Sequence, residues 1–395
     1  MAVPPVGHSD VPVLARALDD PLMRIAVVAN TSWYLYNFRL NLMCALQRAG
    51  HDVVAVGPSD AYAARIAEAG IAHRAVSFDG DGVNPVREIA TVAALARTFR
   101  RADSELVLSF TPKGNIYSGL AAMAAGIRTI PNVSGLGRVF IRQSLLTSLV
   151  RGLYRITLAR APCVFFQNED DKHAFVEARL VEESRALRIP GSGVDLERFT
   201  PMTLAGEEGI TPVFVFLLVA RLLWDKGVGE FVEAARVLRR EYPQARFQLL
   251  GFLDVANPSA VPRDTVTQWV DEGLVEYLGS TDDVRPFLAR ADCVVLPSYR
   301  EGVPRALLEA AAMRRPIITT DAPGCRDVVD DGVTGFLCRP RDAGDLAQKM
   351  RRMLMMSAGE RERMGGLGRE KIESLFDERI VIDAYVRAIA RVVAE

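Results

Sequence analysis

A chain of 395 residues, 49 % hydrophobic and 25 % charged, has the composition of an ordinary globular protein and can build two cores of roughly 150 to 200 residues each. Its formal net charge of -1 lacks the basic excess that counterion-driven binding needs, so no nucleic-acid partner is expected. No window approaches the roughly 20 apolar residues of a spanning helix, and Cys44, Cys163, Cys293, Cys325 and Cys338 stand singly without metal spacing, as reduced thiols of a cytoplasmic protein.

Residues 1–22 carry prolines, Asp10, Asp19 and Asp20, with no basic start followed by an apolar stretch, and read as a loose tail. From Met23 a strand over 24–29 leads through a loop to a helix over 38–49 and a strand over 52–56. Further strands follow over 72–77, 106–110, 129–132 and 163–167, with helical stretches between them. Short bulky apolar runs bounded by turn residues are the mark of strands buried on both faces of a parallel sheet, and they predict one doubly wound domain over 23–196. The segment 197–212, with acidic, Gly and Pro content and little periodicity, reads as a hinge. A second alternation, with strands over 213–220, 247–250, 275–278, 293–296 and 316–319, predicts a domain of the same class over 213–377. The helical stretch in 378–395 would pack back across the hinge. The expected fold is α/β, two Rossmann-like domains facing each other across a cleft, with ligands at the carboxyl ends of the strands.

Two motifs follow strands of the second domain directly. In Glu301-Gly-Val-Pro-Arg-Ala-Leu-Leu-Glu309, Pro304 suits the first helical position, which leaves Gly302 and Val303 on a loop entering a helix, where an anion is favoured. Glu301 on the loop and Glu309 in the helix can accept hydrogen bonds from separate hydroxyl-rich parts of one ligand, a sugar and a ribose. Arg221 and Lys226, some eighty residues earlier, would hold a diphosphate between these parts. Taken alone, the basic pair could be a structural ion pair and the acidic pair a cap plus a surface charge. Together they point to a nucleotide-sugar site. Trp224 reads as packing or as a base wall, and Leu278-Gly-Ser280 as a candidate nucleobase contact. The pairs Asp170-Asp171, Asp282-Asp283 and Asp330-Asp331 each begin a helix or close a turn, so neither an essential metal nor another cofactor is expected.

In the first domain Lys113 and Asn115 follow the strand over 106–110 and, with Gly135 and Arg138, are candidates for binding an acceptor phosphate at the cleft rim. The stretch 138–160 holds five arginines and no acid, with Leu145, Leu146, Leu149, Leu153 and Ile156 on one face and Arg151 and Arg155 opposite. Such a segment either packs on its own sheet with a solvated basic face or lies on an anionic membrane surface.

The set Val219-Ala-Arg221, Lys226-Gly227, Glu301 to Glu309, Gly324-Cys-Arg-Asp327 and Gly332-Val-Thr-Gly-Phe336 resembles the retaining glycosyltransferases of family 4, which have the GT-B fold. Ser109-Phe-Thr-Pro-Lys-Gly-Asn-Ile-Tyr117 and Asn132-Val-Ser-Gly-Leu-Gly-Arg138 look more narrowly like bacterial members that extend polyprenyl-diphosphate-linked sugars in surface-polysaccharide or glycan assembly. The resemblance implies that Arg221 and Lys226 hold the donor diphosphate, Glu301 contacts the donor hexose and Glu309 takes the ribose hydroxyls. Gly302, Val303, Pro304 and Arg305 would line sugar and phosphate. It implies transfer of a hexose or N-acetylhexosamine from a UDP-type donor to a glycan acceptor linked to a lipid diphosphate, with retention, on the inner face of the cell membrane. The chain departs from the pattern at Asn30 to Asn37, aromatic where many relatives carry a Gly-Gly loop, and at Lys113, near where relatives often carry a histidine. Asp327 stands where the family usually has Glu. Rival readings are a nucleotide-sugar 2-epimerase on the same scaffold, which would consume donor without acceptor, and a catalytically silent sugar-nucleotide binder. A nicotinamide-dependent oxidoreductase is disfavoured because no strand is followed by G-x-G-x-x-G.

Overall fold

Residues 22–78, 84–135, 145–202 and 213–394 are described by a computed structural model, and two all-parallel sheets organise them. The amino-terminal sheet contains β1 (Arg24–Val28), β2 (Asp52–Gly57), β3 (Ala72–Ala75), β4 (Leu106–Phe110), β5 (Arg128–Val133), β6 (Val164–Phe166) and β7 (Ala186–Arg188), in the order β3-β2-β1-β4-β5-β6-β7. Its connections are α1 (Ser32–Arg48), α2 (Ala61–Glu68), α3 (Pro85–Arg101), α4 (Pro112–Ala125), α5 (Leu145–Leu158) and α6 (Glu169–Glu177). The carboxy-terminal sheet contains β8 (Val215–Val219), β9 (Arg246–Leu250), β10 (Glu276–Tyr277), β11 (Cys293–Leu296), β12 (Ile317–Thr320) and β13 (Gly335–Cys338), in the order β10-β9-β8-β11-β12-β13. It is wound with α7 (Val228–Glu241), α8 (Arg263–Asp271), α9 (Arg285–Arg290), α10 (Arg305–Ala312) and α11 (Ala343–Met355), and followed by α12 (Ala358–Leu375) and α13 (Glu378–Ala394). In both sheets the strand order reverses beside the first strand, between β1 and β4 and between β8 and β11, and such a switch point opens a crevice at the carboxyl ends.

The apolar runs explain the strands. Every residue of β4 and of β11 is buried, because helices cover both faces of each sheet. α13 belongs in space to the amino-terminal half: Val381, Tyr385, Val386, Ile389 and Val392 share a core with Ile25, Val27, Leu106 and Leu108. The chain crosses between halves at Val194, whose N–H donates to the Phe376 carbonyl at 2.9 Å and whose carbonyl accepts from Glu378 N–H at 3.1 Å.

Some expectations are corrected. α1 starts at Ser32, not at residue 38: the Thr31 hydroxyl accepts from Tyr34 N–H at 3.1 Å and caps the helix, so the aromatic run is helix rather than loop. Tyr34 packs against Phe110 and Trp33 meets Phe38 edge-on. β7 and β13 were not anticipated. On α5, Tyr154, Thr157 and Leu158 point inward, whereas Leu149 and Ile156 are 60 % and 50 % exposed, beside exposed Arg151 and Arg155. The segments 1–21, 136–144 and 203–212, with Arg138, lie outside the described residues. No described helix is long and apolar enough to cross a membrane.

Candidate functional site

The site is built on the turns that leave β8 and β11, adjacent central strands of the carboxy-terminal sheet. After β8 the chain passes exposed Arg221 and closes a 3-10 turn at Trp224–Lys226. Gly227 ends that turn in the left-handed region, with φ 73°, and a Cβ there would lie 2.1 Å from the Pro297 carbonyl oxygen. Only glycine lets the two turns approach this closely. The Asp225 carbonyl accepts from Tyr299 N–H at 3.0 Å and from the Ser298 hydroxyl at 3.1 Å, fixing one turn to the other.

This docking brings Lys226 and Glu301 together. Lys226 Nζ donates to Glu301 Oε1 at 2.5 Å, and the side chains remain 20 % and 13 % exposed. An ammonium and a carboxylate side by side, with Arg221 exposed nearby in sequence, can serve the phosphate and hydroxyl groups of one ligand. Glu301 N–H donates to the Pro323 carbonyl at 3.0 Å. Gly302, Val303 and Pro304 are buried between this loop and the amino-terminal half. Pro304 has extended backbone and caps α10, so the helix opens at Arg305 and not at the proline.

Within α10, Arg305 Nε donates to Glu309 Oε1 at 2.8 Å. Its other arm donates to the Asn37 carbonyl, and its guanidinium lies 5.1 Å from the centre of the Phe38 ring. Burial pushes the Glu309 carboxyl above its ordinary range, a rise opposed first by Arg305 and then by Arg198. Trp224 meets Trp269 edge-on at 5.9 Å, a packing contact. Gly279 accepts from Gly251 N–H through its carbonyl at 2.8 Å, tying the turn after β10 to the end of β9.

The amino-terminal candidates divide. Gly135, just after β5, lies directly against Gly302, its Cβ position 3.3 Å from the Gly302 nitrogen. Lys113 Nζ pairs with Glu88 Oε1 at 3.0 Å. Asn115, expected at the acceptor surface, is instead 2 % exposed, donates to the Asn132 carbonyl at 2.8 Å and accepts from the Ser109 hydroxyl at 2.9 Å. Among the described residues no group of three or more His, Cys, Asp or Glu side chains could hold a metal ion. Asp327 reaches the amino-terminal half, 3.6 Å from Arg188.

Residues to which the sequence assigns no part in the site close the cleft. Asn168 Nδ2 donates to the carbonyls of Glu301 at 3.1 Å and Gly302 at 3.0 Å, and Gln167 Oε1 accepts from Val303 N–H at 3.2 Å. Buried Asp171 pairs with Arg300. At the opposite rim Trp33 meets Phe252 edge-on, and Asp282 accepts from Tyr62 at 2.6 Å and Arg65 at 2.8 Å. Asn168 and Asp171 are legible locally as the cap and first turn of a helix, but nothing in the local pattern says what stands across from them.

Comparison with known proteins completes the description. Residues 213–356 match the family "Glycosyl transferases group 1" and residues 37–191 match "Glycosyl transferase 4-like domain". Over 385 residues the chain is 29 % identical to the N,N'-diacetylbacillosaminyl-diphospho-undecaprenol alpha-1,3-N-acetylgalactosaminyltransferase of Campylobacter jejuni, covering 94 % of this chain and 99 % of that protein. It is 26 % identical to the UDP-Gal:alpha-D-GlcNAc-diphosphoundecaprenol alpha-1,3-galactosyltransferase of Escherichia coli, covering 66 % of this chain and 69 % of the relative. A glycosyltransferase of Rickettsia africae superposes with a TM-score of 0.76 at 17 % identity, over 95 % of this chain and 99 % of that one. Anabaena HepE, solved with UDP-glucose, gives a TM-score of 0.76 at 17 % identity, over 94 % of this chain and all of that one (100 %). These likenesses establish the GT-B fold.

Proposed function

We propose that this chain, a glycosyltransferase whose halves belong to the 4-like and group 1 families, moves a hexose or N-acetylhexosamine from a UDP-sugar to a glycan carried on a lipid diphosphate. The observation that carries the reading is the meeting of Lys226 and Glu301 at the mouth of β8 and β11, with Arg221 on the same turn and Glu309 one helix further along. The acceptor class is supported by a relative that matches almost the whole chain and whose name gives a diphospho-undecaprenol-linked sugar as its substrate.

The chemistry follows from where charge develops. The bond from the sugar's anomeric carbon to the β-phosphate oxygen breaks and negative charge grows on the diphosphate, where Arg221 and Lys226 stabilise it more in the transition state than in the ground state. The acceptor hydroxyl forms the new bond from the same face, and its proton passes to the departing phosphate oxygen, which accounts for retention without a protein base. Glu301 orients the sugar hydroxyls, and Glu309 the ribose. No step draws on a metal. The test is UDP release from a panel of UDP-sugars with undecaprenyl-diphosphate-linked saccharide as acceptor, with mass and anomeric configuration of the lipid product read by mass spectrometry and NMR. A product one sugar longer with the donor's configuration is expected; epimerised donor, or binding without turnover, would replace this reading with one of its rivals.

The acceptor's lipid makes a membrane surface the natural site of action, and α5 supplies a face for it. Exposed Leu149 and Ile156 stand among Arg151 and Arg155, and the helix carries no acidic residue. Each arginine near an anionic surface contributes about 1 kcal/mol. Co-sedimentation with phosphatidylglycerol vesicles should fall in the Arg151→Glu, Arg155→Glu double variant; equal sedimentation would leave α5 as a solvated face.

A further inference from the structure

The loop that carries Glu301 is held mainly from the other half of the molecule. Three side chains at the junction of β6 and α6 engage four consecutive residues across the cleft. Asn168 donates to the carbonyls of Glu301 and Gly302, Gln167 accepts from Val303 N–H, and Asp171 pairs with Arg300. Asn168 and Asp171 are fully buried. The contact has no slack: a Cβ on Gly302 would fall 2.3 Å from Gln167 Oε1 and 2.5 Å from the Ser134 carbonyl oxygen. The clamp is itself braced, since Asn168 Oδ1 accepts from Asp171 N–H at 2.8 Å, Gln167 Nε2 donates to Asn132 Oδ1 at 3.3 Å, and Asn132 Nδ2 donates to the Tyr385 hydroxyl on α13 at 2.9 Å.

We propose that Gln167, Asn168 and Asp171 are positioning residues for the transfer reaction, a clamp on residues 300–303 that makes closure of the cleft and alignment of Glu301 one event. The proposal rests on the glycosyltransferase reading for its catalytic consequence. The division of labour follows from the contacts: Arg221 and Lys226 sit on the carboxy-terminal half and need no clamp to meet a diphosphate, whereas the carboxylate that meets the sugar stands on the clamped loop. Nucleotide affinity and turnover therefore separate, and an enzyme so built assembles its sugar site only around a substrate that lets the halves close.

Asn168→Ser tests the clamp without removing the helix cap, because a serine hydroxyl still accepts from Asp171 N–H but lacks the amide donor. Hydrogen exchange in the full chain should be faster at 301–303 in this variant and unchanged at 221–228. That readout is independent of any activity, so its failure overturns the clamp whatever the enzyme transfers. The dissociation constant for UDP should not change, while UDP release from the UDP-sugar turned over most rapidly in the panel above falls on the order of 100-fold, the scale of a misplaced reacting group. Asn168→Ser combined with Glu301→Gln should be no slower than Glu301→Gln alone, since the clamp acts through Glu301. Multiplying effects, or equal losses of UDP affinity and turnover, would overturn the proposal in favour of general destabilisation. Asp171→Asn, which keeps shape but loses the charge facing Arg300, should repeat the pattern if the serine variant fails to fold. If wild type releases no UDP from any UDP-sugar, the functional reading fails and the exchange experiment still decides the clamp.

Discussion

Lys226 and Glu301 neutralise each other at 2.5 Å, so replacing either changes the charge felt by the other as well as by a ligand. Glu301→Gln keeps the shape and an acceptor oxygen but not the charge, and should lower turnover ~100- to 1,000-fold, the range for one preorganised transition-state contact, with UDP affinity retained. Steady-state UDP release and calorimetry measure the two quantities, and unchanged turnover would take Glu301 out of the sugar site. Lys226→Ala removes a charge-assisted bond worth about 1.5–3 kcal/mol, on the order of 10- to 100-fold in the Kd for UDP. An unaltered constant would exclude it from the diphosphate. Glu309 adds a pH signature. Its folded carboxyl is raised above the ordinary value of 4.5, mainly by burial, so the folded state binds the extra proton, and its stabilising effect is complete below that value and lost as pH rises through the folded one. Glu309→Gln removes this dependence. The variant's melting temperature relative to wild type should therefore be more favourable at pH 7.5 than at pH 4, and a difference independent of pH would refute the shift.

At the scale of elements, the site depends on how two turns meet. Gly227→Ala would force a Cβ against the Pro297 carbonyl in a backbone region that L residues avoid, and it should push the turn at Trp224–Lys226 away from the Glu301 loop. Lower melting temperature and weakened UDP binding are expected together; full UDP affinity would mean that the turn does not hold Lys226 in place. The same pair of turns marks what was legible in the sequence. β4 and β11 were read to the residue, because a run buried on both faces is continuous and ends where turn residues begin. β7, three residues long, has too few side chains to make a pattern. α1 was read as starting late because an aromatic run resembles neither a cap nor a helical stripe. Its rings are used for contacts with Phe110 and, across the cleft, with Phe252, and such partners are not encoded nearby. Glu301 and Lys226 could be named from motif chemistry, whereas nothing in the sequence around Asn168 points to Glu301, 133 residues away.

For the molecule as a whole, α13 joins the two halves. It leaves the carboxy-terminal half at Phe376, passes the hydrogen bonds with Val194 and inserts Val381, Val386, Ile389 and Val392 into the core beneath α1. Each such side chain contributes about 1.5–3 kcal/mol when fully buried, so together they rival the whole stability of a typical domain, about 5–15 kcal/mol. Tyr385 adds the acceptor that holds Asn132, the residue behind Gln167 and the loop of Glu301. A chain ending at Asp377 should therefore lose the amino-terminal half first. Its thermal unfolding is expected to split into an early transition, with rapid hydrogen exchange in β1 and β4, and a later one belonging to β8–β13. UDP should still stabilise the later transition through Arg221 and Lys226, while transfer to an acceptor is abolished because the clamp at Gln167 and Asn168 has lost its scaffold. A truncated chain that unfolds in one transition at the temperature of the full protein would mean that α13 decorates the amino-terminal core without sustaining it, and closure would then have to be explained from contacts that do not involve α13, such as those of Trp33, Tyr62 and Arg65 at the rim and of Arg305 with Asn37.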